Sequence, residues 1–267
     1  IIAVVVVVIV AAAGISAAVL LNDDGSGKEP GKTTEEDGAW PRTYVDALGR
    51  EVVLEQKPER TALIFFRGFE YMLMLDEVPV AAAMVEEVYN GWTMLEPFAD
   101  EYYIIELGGD QYSPNLDLLA ITGPDLIITY TGIFEGVGEQ LEKIATTITV
   151  DTYGDDWQTP FIQYGEIFGK EEKAQEEIER LEGLLGEAVE DLSPYSDKTF
   201  AFLRPDGKNM FTVYVLQYVY DAEVGLGLSA PEGYMELSRK QIDLSGLTRL
   251  NPDYIFLYDN AVSYTHL

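Results

Sequence analysis

The sequence predicts an α/β protein of two lobes, each built on a mainly parallel sheet, joined by a single long helix. Three observations carry that expectation. Strand-like and helix-like stretches alternate through most of the chain, which is the pattern of βα units on a largely parallel sheet covered by helices. Near mid-chain, Lys170 to Leu192 places Ala174, Ile178, Leu181, Leu185, Ala188 and Leu192 at steps of three and four, with Glu, Lys and Gln elsewhere. As a helix it would run about 34 Å. Finally, two patterns recur in the same order on each side of that rod. Leu116 to Tyr130 and Ile242 to Tyr258 both read as a helix, Pro-Asp and a buried strand ending in Tyr; Thr61–Phe66 and Thr199–Leu203 both run into an arginine. Matched halves make the rod a strut between two related lobes.

Taken in order, Ile1 to Leu21 carries no charge and as a helix would span about 32 Å, close to the thickness of a bilayer core. Residues 1–21 are therefore expected to be a membrane anchor, or alternatively a signal segment. Residues 22–42, rich in Gly, Asp, Glu and Thr, form a flexible linker with nothing to bury, whose reach is about 25 Å. The N-terminal lobe, 43–158, opens with a hairpin turning at Leu48-Gly49. Strands follow at Thr61–Phe66, Val80–Met84, Tyr103–Leu107, Asp125–Tyr130 and Thr147–Val150. Helices are expected from Phe69, around Asn115–Ile121 and at Val137–Ile144. A helical region, 159–192, holds a short helix Pro160–Phe168 ended by Gly169, then the rod 170–192, which Pro194 stops. The C-terminal lobe, 193–267, has strands at Thr199–Leu203, Phe211–Val215 and Asp253–Tyr258, with helices at Tyr218–Val224 and Gln241–Leu250.

Composition removes whole classes of function. Seventeen Lys and Arg face 47 Asp and Glu, a formal charge of −30, so nucleic acid and anionic lipid are repelled. Without cysteine there are no disulfides, thiolate metal sites or thiol catalysis, and the one histidine is His266. Zinc sites and histidine-based triads are thereby disfavoured. No catalytic or metal-ligating residue is assigned. Gly225 to Ala230 fits the G-x-G-x-x-A spacing of dinucleotide sites, but it follows a helix and meets Pro231, so a helix end and turn explains it better. The acid pairs Asp155-Asp156 and Glu86-Glu87 read as solvated.

A family likeness rests on several segments in fixed order. These are Tyr44-Val45-Asp46-Ala47-Leu48-Gly49-Arg50-Glu51-Val52, Lys57-Pro58-Glu59-Arg60, Leu107-Gly108-Gly109 with Asn115-Leu116, Gly123-Pro124-Asp125-Leu126-Ile127-Ile128, Ile167-Phe168-Gly169-Lys170-Glu171 and Asn251-Pro252-Asp253-Tyr254-Ile255. Over about Thr43 to Asp259 the chain resembles the substrate-binding proteins of ABC importers for iron–siderophores, haem and cobalamin. The resemblance implies a rigid rod, a shallow cleft between lobes, and delivery of the captured chelate to a membrane permease driven by separate ATPase subunits. It also implies one acidic docking residue per lobe: Glu106 in the first, and in the second Glu236, because Lys240 stands where the acid is usual. The family continues beyond the last Tyr-bearing strand, whereas Ala261–Leu267 has no counterpart, so an incomplete C-terminal lobe is expected.

In open α/β sheets ligands sit beyond the carboxyl ends of the strands. Arg67 and Arg204 both fall there, and guanidinium forks suit the carboxylate or catecholate oxygens of an anionic chelate. A local ion pair with a neighbouring acid is the other reading of each. Tyr89, Trp92, Tyr130, Tyr214 and Tyr258, with Tyr112 and Tyr234, are aromatics with polar tips that suit a large chelate such as a ferric siderophore, haem or cobalamin. No resident cofactor is expected. The sequence thus points to an extracytoplasmic solute-binding protein tethered by its N-terminal segment. An extracellular sensor or adhesion module, or a metal–tetrapyrrole enzyme on the same scaffold, stands as the alternative.

Overall fold

A computed structural model describes residues 40–91, 95, 98, 101–108, 112–151 and 156–257. The apolar segment 1–21, all of the linker before Trp40, Trp92 and Tyr258 lie outside the described residues. The chain divides into two units, with the boundary between Arg180 and Leu181.

The unit ending at Arg180 is built on five parallel strands: β3 (Thr61–Leu63), β4 (Ala81–Ala82), β5 (Ile105–Glu106), β6 (Leu126–Tyr130) and β7 (Thr146–Val150), in the order β5-β4-β3-β6-β7. Strands β3 and β6 lie innermost. β3 is buried throughout and β6 as far as Thr129, as a strand covered on both faces requires. The expected strand to Phe66 is cut short: β3 ends at Leu63, and Phe66–Gly68 winds into a 3-10 turn that leads into α1 (Phe69–Met74). Helices α2 (Val85–Gly91), α3 (Leu116–Thr122), α4 (Thr131–Leu141) and α5 (Gln158–Phe168) complete the unit's covering. Helix α4 starts six residues before its expected position, directly after β6.

The predicted hairpin is β1 (Arg42–Val45) and β2 (Glu51–Leu54). Its turn is welded to the sheet through Asp46, which is 4% exposed. The Asp46 carboxylate accepts from the backbone N–H of Leu48 and Arg50, from the Arg50 guanidinium at 2.6 and 2.9 Å, and from the Thr149 hydroxyl at 2.8 Å. Arg50 in turn reaches Glu142 at 2.5 Å and lies over the Phe134 ring. Burial pushes the Asp46 carboxyl up, but the hydrogen bonds from Arg50 and Thr149 outweigh it and hold the group below its usual range.

The long helix, α6 (Glu171–Leu192), matches its expected span to one residue. Ala174 and Ile178 are buried; the rest of the stripe is half-buried. At its start Gly169 takes a left-handed φ of 70° and ends α5. A Cβ at Gly165 would lie 2.8 Å from that of Ala174, so a glycine there lets α5 and α6 touch. Lys170 donates to the Leu75 carbonyl and pairs with Glu77, and Lys173 pairs with Asp76.

The unit beginning at Leu181 carries four strands in the order β10-β9-β8-β11: β8 (Phe200–Pro205), β9 (Met210–Val213), β10 (Gln241–Asp243) and β11 (Tyr254–Leu257). Only β8 and β11 run parallel; β8–β9 and β9–β10 are antiparallel. The mainly parallel sheet expected here is therefore mixed. The cause is the tight Asp206–Asn209 turn, with Gly207 and Asn209 at positive φ and Asp206 N–H donating to the Met210 carbonyl, which returns the chain as a hairpin. The expected helix Gln241–Leu250 also divides. Asp243 accepts from Gly246 N–H at 2.7 Å and starts α8 (Leu244–Leu250), leaving 241–243 extended as β10. Helix α7 (Gln217–Tyr220) is shorter than predicted, and among the described residues no helix is long and apolar enough to cross a membrane.

The internal repeat survives at atomic detail. Asn115 caps α3 and Asp243 caps α8, each by accepting from the N–H three residues on. Both helices end in a left-handed residue, Gly123 or Asn251, before Pro-Asp. Asp125 then accepts from the N–H groups of Glu59 and Arg60, and Asp253 from the N–H and hydroxyl of Thr199. In each unit the Pro-Asp carboxylate thus ties the start of its own strand to the start of the parallel neighbour, β3 or β8.

Candidate functional site

In the first unit, the carboxyl ends of β3 and β6 bring five side chains together. Phe65, fully buried, packs at a tilt against Tyr130 with ring centroids 4.3 Å apart and against Phe66 at 5.1 Å. Arg67, exposed on the 3-10 turn, lies 5.9 Å from the Phe66 ring. The hydroxyls of Tyr130 and Tyr112 are 3.1 Å apart. Tyr130 is the last residue of β6, and its ring folds back over the first turn of α4, where a Cβ at Gly132 would come within 2.9 Å of it. An aromatic floor, a guanidinium and two phenol hydroxyls therefore share one rim.

Behind Arg67 sits a buried carboxyl. Burial raises Glu70 to about 8, against the lowering effects of its own backbone N–H and of Arg67, and one of its oxygens has no hydrogen-bond partner among the described residues. The Tyr164 hydroxyl, also buried and without a hydrogen-bond partner among the described residues, is raised by burial and by Glu70. It approaches Gly68 so closely that a Cβ there would stand 2.1 Å from it.

In the second unit, the matching end of β8 carries Arg204. It donates to Asp206 at 2.9 and 3.0 Å, and Asp206 also accepts from the Thr212 hydroxyl and from Gln241. The local ion pair is thus realised for Arg204. Its guanidinium lies 5.5 Å from the Tyr214 ring, and a second arginine, Arg239, lies 4.5 Å from the same ring. Arg239 is exposed, adopts φ 63°, and is held by its N–H to the Val213 carbonyl at 2.8 Å. Among the described residues no carboxylate pairs with it, which is unusual in a chain with 47 acids. The sequence reading passed over Arg239 because Ser238–Gln241 was read only for an acid; its one local signal was a cation flanked by polar residues just before a strand.

Other predicted positions fall into structural roles. Tyr234 is fully buried; its hydroxyl accepts from Phe202 N–H and lies 2.8 Å from the Tyr214 carbonyl, so it holds Tyr214 in place. Tyr89 turns its hydroxyl inward and packs edge-on to Phe69, and burial raises it. The Glu106 carboxylate accepts from the N–H groups of Met84, Val85, Glu86 and Gly108 at 2.5–3.3 Å, so it caps α2 and its lone pairs are taken up inside the unit. Glu236 and Lys240 are exposed. Asp156, just ahead of α5, accepts from the N–H and hydroxyl of Thr159 in its first turn, while Glu86 and Glu87 occupy the first turn of α2, where the helix dipole favours acids. Gly225 and Gly227 form the turn after α7, Gly225 pressed on the Tyr218 carbonyl. Among the described residues no group of three or more His, Cys, Asp or Glu could hold a metal ion.

Comparison with known proteins follows the same lines. The pattern that defines a family described as periplasmic binding protein matches residues 69–266. A probable siderophore-binding lipoprotein of Bacillus subtilis, YfiY, is 25% identical over 205 residues, 76% of this chain and 61% of that protein. The Fe(3+) dicitrate-binding periplasmic protein FecB of Escherichia coli is 23% identical, covering 82% of this chain and 72% of its own. Among solved structures, Staphylococcus aureus SirA complexed with staphyloferrin B superposes with a TM-score of 0.63 at 20% identity, over 82% of this chain and 76% of the other, a likeness of fold. The chain spans about three fifths of the length of the first of these relatives.

Proposed function

This chain belongs to the periplasmic binding protein family, and we propose that it captures a ferric siderophore outside the cell and hands it to an ABC permease. The observation that carries the reading is an arginine beside an aromatic ring in each unit: Arg67 near Phe66, just past the end of β3, and Arg204, at the end of β8, together with Arg239 near Tyr214. Guanidinium donors suit carboxylate or catecholate oxygens and a neighbouring ring suits apolar parts of the same ligand; of the three arginines, Arg239 has no carboxylate partner among the described residues. The names of the relatives, siderophore-binding and dicitrate-binding, support an iron chelate over haem or cobalamin. On this reading the metal is cargo, no resident cofactor is needed and no bond is made or broken. Glu236 is the exposed acid assigned to permease docking, and residues 1–21 hold the protein at the membrane or direct its export.

A thermal-shift panel tests the proposal. Ferric catecholate, carboxylate and hydroxamate siderophores, haem and cobalamin are offered in turn to the full chain. A ligand at 100 times its Kd stabilises the folded state by about 2.7 kcal/mol, which is readily measured. Stabilisation by one class of ferric chelate is expected; no shift with any of them would overturn the assignment.

A further inference from the structure

Glu70, the buried carboxyl behind Arg67, has no use in chelate capture itself. Its setting is nevertheless tied to the turn that carries Arg67. Gly68 closes the 3-10 turn Phe66–Gly68 against the Tyr164 hydroxyl. A Cβ there would run into that oxygen and into a Leu63 methyl 2.7 Å away, so the turn seats because the residue has no side chain. Two residues on, Glu70 Oε2 is closed to solvent, and neither it nor the Tyr164 hydroxyl has a hydrogen-bond partner among the described residues. A neutral carboxyl tolerates that setting; a carboxylate sealed from water without a partner does not. We propose that the Phe66–Gly68 turn is a proton-controlled latch, seated for capture while the Glu70 carboxyl carries its proton and released when that proton leaves. This rests on the reading of the chain as a ferric-chelate carrier.

The surroundings decide what moves. From the turn, Arg67 is the charge that opposes the effect of burial on Glu70. From α5 the facing group is Tyr164, with Tyr71 of α1 and Tyr44 of β1 close to the same phenol, and from α2 Tyr89 packs on Phe69. Burial raises the hydroxyls of Tyr44, Tyr89 and Tyr164, so these stay neutral while Glu70 titrates. Asp76 and Glu77, past the far end of α1, are engaged by Lys173 and by Lys57 and Lys170. Arg67 and water both lie outward, so an ionised Glu70 reaches them only if the turn shifts. Phe69, Met72 and Leu73 are buried and hold α1, which confines the movement to the turn. An opening that exposes the carboxyl becomes close to tenfold more favourable per pH unit from about 4.5 to about 8 and levels off above. Capture is therefore tighter on the acid side of that range.

Amide hydrogen exchange of the full chain from about pH 5 to about pH 8, corrected for the intrinsic rate, tests the latch. The N–H groups of Gly68 and Phe69 bond to the Phe65 and Phe66 carbonyls within the turn, whereas Ile64 N–H bonds to Ile128 across the sheet and is freed only by unfolding of the unit. The turn amides are expected to exchange at least about tenfold faster than Ile64 and to lose protection by up to about tenfold per pH unit. Glu70→Gln, shown to be folded by its Ile64 protection, is expected to abolish that loss. Turn amides no faster than Ile64, or a loss that persists in Glu70→Gln, overturn the inference. The ferric siderophore that stabilises the chain in the thermal panel is then titrated at about pH 6 and about pH 8. Wild type is expected to lose affinity relative to Glu70→Gln at the higher pH, by about twofold when half of the molecules are open. An unchanged ratio overturns the inference and leaves the carrier function standing. If no chelate of the panel binds while exchange at the turn still follows Glu70, the carrier function falls and the latch remains.

Discussion

Replacing Asp46 with alanine tests whether one buried carboxylate holds the N-terminal hairpin to its sheet. The side chain has no exposure, and its oxygens receive hydrogen bonds from Leu48, Arg50 and Thr149. Removing one member of a buried ion pair costs about 3–5 kcal/mol, because the other charge is left without its counter-charge. Here Arg50 is 29% exposed and keeps Glu142 at 2.5 Å and the Thr147 carbonyl at 3.2 Å, so the lower end, about 3 kcal/mol, is expected. Asp46→Asn keeps the shape and loses the charge assistance, for about half that cost. Trp40, Trp92 and Trp157 all precede Arg180, so tryptophan fluorescence during urea unfolding reports on the unit that contains the hairpin. With a slope of about 1–3 kcal/mol/M, the alanine variant's midpoint falls by about 1–3 M. The effect has a pH signature. Because the folded-state pKa lies below the ordinary 3.8, the contribution is complete above that value and is lost as pH falls through the lower one. The gap between wild type and Asp46→Asn therefore closes only in strong acid. A change under about 0.5 kcal/mol at neutral pH, the range of ordinary surface substitutions, would refute the argument.

Arg239→Ala is expected to weaken capture of ferric citrate, an anionic chelate, by about tenfold or more in fluorescence titration, since a charge-assisted hydrogen bond to the ligand is lost. Arg204→Ala is expected to cost less, because Asp206 already answers that charge; the reverse order would overturn the assignment. Glu70 binds its proton more tightly folded than unfolded, so wild-type stability falls as pH climbs from about 4.5 to about 8 and levels off above. Glu70→Gln flattens that slope in a series of thermal melts, and a slope unchanged from wild type counts against a buried neutral carboxyl. Gly132→Ala adds a Cβ within 2.9 Å of the movable Tyr130 ring. Its thermal midpoint is expected to stay near wild type, because alanine suits a helix better than glycine by up to about 1 kcal/mol. A loss of stability above about 1 kcal/mol would show that the ring cannot give way.

Much of the fold was legible because local signals and burial agree along the chain. The apolar stripe from Ala174 to Leu192 named the long helix to within a residue, since a period of 3.6 with Glu and Lys between has one stable reading. The Pro-Asp repeat exposed two related units because each Asp does the same work, tying the starts of two parallel strands. Legibility failed where a short polar stretch could serve two conformations. Asp206–Asn209 became a hairpin turn, and Gln241–Asp243 became an edge strand, because pairing with β9 and the cap at Asp243 decided a segment whose propensity was helical.

Read one residue at a time, the chain by itself determined the α/β class, most of the strands and helices, the −30 charge and the absence of thiol and near-absence of imidazole chemistry. It also placed Arg204 at a strand end and Arg67 close beyond one. Only tertiary structure decided which charges were spoken for: Arg204 is taken by Asp206 and Glu106 by the start of α2, while Arg239 stands beside Tyr214 with no acid at hand among the described residues. It alone set Tyr112 beside Tyr130, eighteen positions away. The reason is physical. Periodicity and composition report how a stretch is solvated, but a polar side chain's role depends on which partner reaches it first, and that partner sits far off in sequence.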